Sequence, residues 1–309
     1  MLQEYQADAL AQPTAVPLLV RSVDQLLGGA GLPVGEFTEI CGPPGIGKTQ
    51  WAMQLAINVQ LPPAERGLQG SALYIDTEGS LTPERCHDMA QAMMARIHRH
   101  RRANPRLGPC PDWLNEEYLL AGIHVLRVYD VATLDATIST LPALCQAVDR
   151  PVRLVIIDSL AFPVRAESTN DFIGRTQQLT QWAMKLSQLA QQHPPKAVVA
   201  LNQMTTTTTS SSHHHHHLPG EKTSSGNKEN SLVVGSSLVP ALGEAWAHAV
   251  TNRVILAPGV GDTRHCRLIK SPRLPTGQAA YTIAQGGIRD VGSSTTTISP
   301  AKRPRPSGV

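Results

Sequence analysis

The run Gly42-Pro43-Pro44-Gly45-Ile46-Gly47-Lys48-Thr49 leaves this chain few folds to choose from. It satisfies the spacing G-x-x-x-x-G-K-[ST], in which glycines let successive backbone N–H groups turn toward one point. Before it, Phe37-Thr38-Glu39-Ile40-Cys41 alternates as a strand does; after it, Gln50-Trp51-Ala52-Met53-Gln54-Leu55-Ala56 reads as a helix. Strand, glycine loop and helix together place the loop at a helix N-terminus, where partial positive charge favours an anion. The run is therefore read as a phosphate-binding loop for a nucleoside triphosphate. In that reading Lys48 reaches the β and γ phosphates and the Thr49 hydroxyl is a ligand of Mg²⁺.

The rest of the chain alternates between strand-like and helix-like segments. Strands are predicted at 71–76, 123–129, 154–158 and 197–201, and helices at 83–102, 113–120, 131–147 and 171–192. In the last helix Leu179, Trp182, Ala183, Leu186 and Ala190 recur at helical spacing. Leu154-Val155-Ile156-Ile157 is continuously apolar, the pattern of a parallel strand covered on both faces. This alternation predicts an α/β fold with a doubly wound, mostly parallel sheet and its ligand at the carboxyl ends of the strands. Three strands near 251–256, 264–270 and 279–284 are expected to add a small antiparallel C-terminal extension.

Composition divides the chain further. Residues 1–20 are polar with Ala and Pro and are read as a linker, 21–290 as the core, and 291–309 as a disordered basic tail. Within the core, 204–237 is rich in Thr, Ser and Gly and carries His213–His217, a tract without the apolar content to pack. It is expected to be a mobile surface loop, and its histidines a repeat tract rather than a metal site. Aromatics make up only 4%, so the core must be aliphatic. The net charge of +3 is unremarkable, but its distribution is not: Arg96, Arg99, Arg101, Arg102 and Arg106 lie in a stretch free of acids, and the residues after Asp262 are again basic. Two such regions suit a polyanion. The five cysteines never form C-x-x-C and are read as incidental thiols of a reducing compartment. Neither a signal-peptide pattern at the amino terminus nor an apolar run of membrane-spanning length is present, so a soluble intracellular protein is expected.

A phosphate-binding loop needs a carboxylate for the metal's shell and a group to orient water. Asp158, after four apolar residues, fits the first role. Glu78, at the end of the neighbouring strand, fits the second as proton acceptor. Gln203, at the end of a third strand, carries an amide suited to sensing the γ phosphate.

At this point the residues converge on a family. Gly42–Gln50, Tyr74-Ile75-Asp76-Thr77-Glu78-Gly79-Ser80, Leu154–Asp158, Leu201-Asn202-Gln203-Met204-Thr205-Thr206 and Val239–His248 resemble the RecA-type recombinase core. The resemblance is strongest to the eukaryotic recombinase paralogues, and within them to paralogue C of the Rad-fifty-one family. It covers roughly residues 21–290. It implies an ATP-binding, DNA-binding factor of homologous recombination in the repair of double-strand breaks and in meiosis, a weak DNA-dependent ATPase that works with B-, D- and X-type paralogues and the main recombinase on single-stranded and branched DNA. By motif match Gly42, Pro43, Pro44, Gly45, Ile46, Gly47, Lys48, Thr49 and Gln50 hold ATP, Thr49 and Asp158 hold Mg²⁺, Glu78 is the catalytic carboxylate with Lys48 and Gln203, and Arg85 contacts adenine. The segments Pro163–Arg175 and 204–237 fall where the family binds DNA, and His248 and Lys270 where an adjacent subunit's nucleotide is met. The family's helical region ahead of the core and its Phe-x-x-Ala segment have no counterpart in the first twenty residues, so long homofilaments are not expected. Lys302-Arg303-Pro304-Arg305 resembles a nuclear import signal. The competing readings are a non-hydrolysing ATP-binding adaptor that only organises partner subunits, and an autonomous strand-exchange recombinase.

Overall fold

The computed structural model describes residues 14–166, 172–209 and 235–292. Its centre is a sheet of six parallel strands: β3 (Phe37–Gly42), β4 (Ser71–Asp76), β5 (Ile123–Arg127), β6 (Val152–Asp158), β7 (Ala197–Thr209) and β9 (Asn252–Pro258). β8 (Gly235–Pro240) pairs antiparallel with the far end of β7. β10 (Thr263–Lys270), β11 (Gly277–Ala284) and β12 (Gly287–Asp290) then follow β9 as an antiparallel meander. The order across the sheet is β12-β11-β10-β9-β3-β7-β6-β4-β5, so β3, which feeds the phosphate loop, lies near the middle.

Every residue of β3 and β4 is buried, the polar Thr38, Glu39, Ser71 and Asp76 included, because both faces of these strands are covered. Alternation along each strand sends neighbours to opposite sides. Ile40, Tyr74, Ile156 and Val199 face one layer, with Trp51 and Leu55 of α2 (Lys48–Asn58). Phe37, Leu73, Ile75, Val155, Ile157 and Val198 face the other, with α5 (Val131–Leu144), α7 (Phe172–Gln191) and α8 (Gly243–Ala249). The stripe Leu179, Trp182, Ala183, Leu186 and Ala190 of α7 is buried in that second layer. A smaller cluster joins α2 to α3 (Pro83–Ala103) and α4 (Glu116–Ala121) through Met53, Ile57, Met89, Met93, Ile97 and Leu119.

Four expectations change. The segment read as linker is packed from Ala15 onward: β1 (Ala15–Val16) pairs with β2 (Leu32–Pro33), and Val16, Leu18 and Val20 are buried below α1 (Arg21–Leu26). The fifth predicted strand does not stop at Leu201 but runs to Thr209, because β8 supplies a partner for its polar extension. The region after 250 contains four strands, and the first of them joins β3 in parallel. Finally, the first four residues of the segment matched to the first DNA loop, 163–166, lie in a helix, α6 (Ala161–Ala166). The His213–His217 tract and the basic tail at 302–305 lie outside the described residues.

Asp24 holds the amino-terminal segment in place. Its carboxylate, 2% exposed, accepts hydrogen bonds from the amides of Leu18 at 2.8 Å and Leu19 at 3.1 Å. Asp24→Ala strands two buried N–H groups and is expected to cost about 2 kcal/mol, partly offset by relief of carboxylate desolvation. Denaturant unfolding checks this; an unchanged midpoint would mean that apolar contacts alone seat residues 15–20.

Candidate nucleotide-binding site

β3 ends at Gly42 and α2 begins at Lys48, so the five residues between them turn the chain from sheet to helix. Two positions demand glycine: Gly45 has φ +74° and Gly47 φ +104°. A Cβ on Gly47 would also lie 2.3 Å from the Ile283 side chain of β11, and one on Gly42 2.7 Å from that of Ile46. Buried Ile46 anchors the loop, while Pro44 and Gly45 face solvent. The first turn of α2 leaves amides without intrahelical acceptors, directed at the loop. Lys48 folds over the loop and donates to the carbonyls of Gly42 at 2.9 Å and Pro43 at 3.1 Å. Burial pulls its pKa down, while the nearby Glu78 and Asp158 carboxylates push it up.

Strand register assembles the rest. Gly42 lies beside Gln203, and Asp76 beside Asp158, so loop, amide and carboxylates meet at one edge of the sheet. Asp158 is 2% exposed, and burial raises its pKa above the ordinary carboxylate value. Three hydroxyls converge on its Oδ2: Tyr74 at 2.6 Å, Thr49 at 2.8 Å and Ser80 at 3.1 Å. A hard, oxygen-only set made of one carboxylate and the Thr49 and Ser80 hydroxyls, beside a phosphate cradle, is a donor set that fits Mg²⁺. Thr49 and Asp158, the two residues assigned to the metal, are thus in direct contact.

Glu78 stands at the lip of the site. The Asp76 carboxylate shapes the turn that carries it, accepting from the Gly79 amide at 2.7 Å and from Arg127 at 2.5 Å. The Oε1 atom of Glu78 accepts from Gln203 Nε2 at 2.8 Å and from the Ser159 hydroxyl. Ser159 is itself fixed by reciprocal hydrogen bonds with Thr77, 2.9 Å from its amide to the Thr77 hydroxyl and 2.7 Å in return to its carbonyl. The Gln203 side-chain oxygen Oε1 accepts from Arg165 Nη1 at 2.8 Å.

The remaining predicted residues are placed as follows. Arg85, at the start of α3, donates to the Gln50 side chain at 2.7 Å, to the Ala284 carbonyl at 2.7 Å and to the Gln285 carbonyl. The edge of its guanidinium thus ties α2 and α3 to the β11–β12 turn, so contact with a base would fall to its planar face. Lys270 donates to the carbonyls of Ala247, His248 and Val250 at 2.9, 2.9 and 2.6 Å. Its ammonium closes the carboxyl end of α8 in its own chain, a use that differs from the inter-subunit role the resemblance implies. His248 is exposed on α8. Arg101 leaves the predicted basic face altogether: it is buried, pairs with Glu65 at 2.8 Å and donates to the carbonyls of Leu107 and Pro109. Arg99, Arg102 and Arg106 stay exposed.

Sequence reasoning missed Tyr74, Ser80, Ser159 and Arg165 as parts of the site. It also missed Glu39, which is completely buried in β3 and accepts from Asn202 at 2.7 Å, Trp246 at 2.7 Å and Arg253 at 2.5 Å. The available signal was a carboxylate inside a strand that reads as covered on both faces, because such a charge must find partners.

The chain is similar to known proteins over most of its length. The Rad51 family model matches residues 16–99 and 112–291. The DNA repair protein RAD51 homolog 3 of Dictyostelium discoideum is 36% identical over 270 residues, which are 87% of this chain and 64% of the relative. The protein of the same name from Cricetulus griseus is 34% identical, over 87% of this chain and 66% of its own length. The DNA repair and recombination protein RadA of Methanocorpusculum labreanum is 34% identical, over 91% of this chain and 76% of its own. This chain therefore spans just under two thirds of the two homolog 3 relatives.

The buried Asp158 predicts a stability effect. A carboxyl whose folded pKa lies above its unfolded value contributes stability that is present below the unfolded value and lost as pH rises through the folded one. Above the raised folded value the buried carboxylate is charged and that contribution is gone, so Asp158→Asn should raise the unfolding midpoint of the nucleotide-free protein there, and the difference should shrink on acidification. Thermal unfolding across pH tests it; a midpoint lowered at neutral pH would mean the three hydroxyls depend on the charge.

Proposed function

Because the chain belongs to the Rad51 family, we propose that it binds ATP with Mg²⁺ at the Gly42–Gln50 loop and acts with DNA in homologous recombination. The observation that carries this reading is the convergence of Lys48, Thr49, Asp158, Glu78 and Gln203, from four adjacent strands, on one edge of the sheet. Lys48 exchanges the loop carbonyls for β and γ phosphate oxygens. The Thr49 hydroxyl and the Asp158 carboxylate hold the metal, which supplies positive charge against the phosphates. Glu78 accepts a proton from the attacking water, and Gln203 senses the γ phosphate at the root of the β7–β8 hairpin. The packed unit is the RecA-like core. Its setting is a nuclear, heteromeric complex with B-, D- and X-type paralogues that promotes assembly of the main recombinase on single-stranded and branched DNA. The relatives are DNA repair and recombination proteins by name, which supports the recombination part of this reading.

A second reading, the non-hydrolysing adaptor, has one specific support: Glu78 Oε1 already accepts two hydrogen bonds, which hold the carboxylate to Gln203 and Ser159 rather than leaving it free to turn to a water. Two variants separate the readings. Lys48→Ala should abolish ATP binding, measured by equilibrium titration. Glu78→Gln should leave binding intact and slow DNA-stimulated turnover about 100-fold. An unchanged turnover in Glu78→Gln favours the adaptor. Binding to single-stranded DNA should weaken steeply between low and physiological salt, since Arg99, Arg102 and Arg106 remain solvent-exposed cations; a flat titration removes them from the DNA surface.

A further inference from the structure

We propose that Arg165 is a positioning residue that latches Glu78 through Gln203 and that a nucleic-acid phosphate releases the latch. This deepens the function proposed above and rests on it.

The inference starts from the two ends of an amide. A glutamine side chain presents an acceptor oxygen and a donor NH₂, whereas a guanidinium has donors only. Arg165 Nη1 lies 2.8 Å from Gln203 Oε1, so the amide oxygen must face Arg165. Its NH₂ is then turned to Glu78, where Nε2 lies 2.8 Å from Oε1. The cation at one end and the carboxylate at the other thus hold the amide in one orientation, and Arg165 is the partner that can be drawn away. In that orientation Gln203 and Ser159 together fill both lone pairs of Glu78 Oε1.

The two donors differ in mobility. Ser159 is fully buried and held by Thr77 on both sides, so its hydrogen bond is a fixed part of the site. Arg165 is exposed at the end of α6, and Gln203 is half-buried on β7 where that strand leaves the core. An exposed guanidinium bonded to a neutral amide is poised for exchange, because a phosphate offers it an oppositely charged, two-point contact in place of a single bond to a neutral oxygen. Once Arg165 turns to a phosphate, nothing fixes the Gln203 oxygen. The amide rotates, its NH₂ leaves Glu78 for an anionic γ-phosphate oxygen, and Glu78 Oε1 recovers a lone pair for the proton of the attacking water. The same exchange accounts for a carboxylate that is assembled beside the phosphate loop and yet held in one orientation, through Oε1, while no polyanion is bound.

The test uses the purified full chain with an oligothymidylate as the phosphate probe, comparing wild type, Arg165→Ala and Arg165→Lys. ATP turnover is measured with and without the oligonucleotide, and ATP affinity separately. Arg165→Ala is expected to raise DNA-free turnover about fivefold or more, with ATP affinity within about twofold of wild type, since a restraining hydrogen bond is removed and no phosphate contact is lost. The oligonucleotide should then add about twofold or less. Arg165→Lys, whose ammonium can still donate to the Gln203 oxygen, should keep the low DNA-free rate. A residue that served only to contact DNA would lose stimulation without any rise in the DNA-free rate. An Arg165→Ala rate at or below wild type, in a protein whose wild type binds ATP, overturns the latch alone. Absence of ATP binding in the wild type overturns the function proposed above, and the latch with it.

Discussion

The completely buried Glu39 sets the terms for the centre of this molecule. It sits in the strand that delivers the phosphate loop, and a charge there is tolerable only if several donors reach it. Asn202, Trp246 and Arg253 do so from positions 163, 207 and 214 residues away in sequence. Satisfying that one carboxylate therefore draws β7, α8 and β9 onto β3. Asn202 immediately precedes Gln203, so the residue that fixes β7 against β3 is covalently next to the residue that bonds Glu78. The thiol of Cys41, one turn of the pleat further along β3, is pushed well above its usual pKa by burial and by the Glu39 charge, which makes it a packing group rather than a nucleophile.

With the central strands fixed, the site follows from parallel register. Side by side, parallel strands carry their carboxyl ends to one edge, and whatever residue ends each strand arrives there. Gly42 pairs with Gln203 and Asp76 with Asp158, so a shift of register by one residue would send each functional side chain to the wrong face. The nearly unbroken burial of β3, β4 and β6 prevents that shift, because it would place Glu39 among apolar residues without its donors. Core packing and site geometry are thus the same constraint.

This division explains what could be read from the sequence. The phosphate loop, Asp158, Glu78 and Gln203 could be placed together locally: each follows a strand-like segment, and parallel strands bring their carboxyl ends to one edge. The long helix carrying Trp182 was legible for the same reason, through its spacing alone. Residues whose roles depend on distant partners were not. Arg101 looked like one more cation in a basic stretch until Glu65, 36 residues earlier, claimed it. Lys270 carries no local signal, because the carbonyls that take its three hydrogen bonds belong to a helix end twenty or more residues upstream. β12 escaped because four residues give no periodicity, and the Ala15–Val20 segment because its hydrophobic residues alternate with none of the usual helix or strand signals until Asp24 gathers its amides. Arg165 follows the same rule: nothing in its neighbours points to Gln203.

The two carboxylates of the site are separated by environment more than by distance. Asp158 is enclosed, and three hydroxyl donors share a single oxygen of it; protons delivered there compete with an arrangement already saturated, so its use is as a fixed charge. Glu78 is exposed, carried on a turn whose own shape is set by Asp76, and only one of its oxygens is engaged. A group that must gain and lose a proton in each cycle has to be reachable by water and free to change partners, and only the second carboxylate meets both conditions. Exposure exacts a penalty, since an exposed side chain is positioned by few contacts. The buried Ser159 supplies one rigid contact, and Gln203 supplies one that can be withdrawn. A site with a single rigid donor to Glu78 would be permanently committed; the second, exchangeable donor is what gives this carboxylate two states.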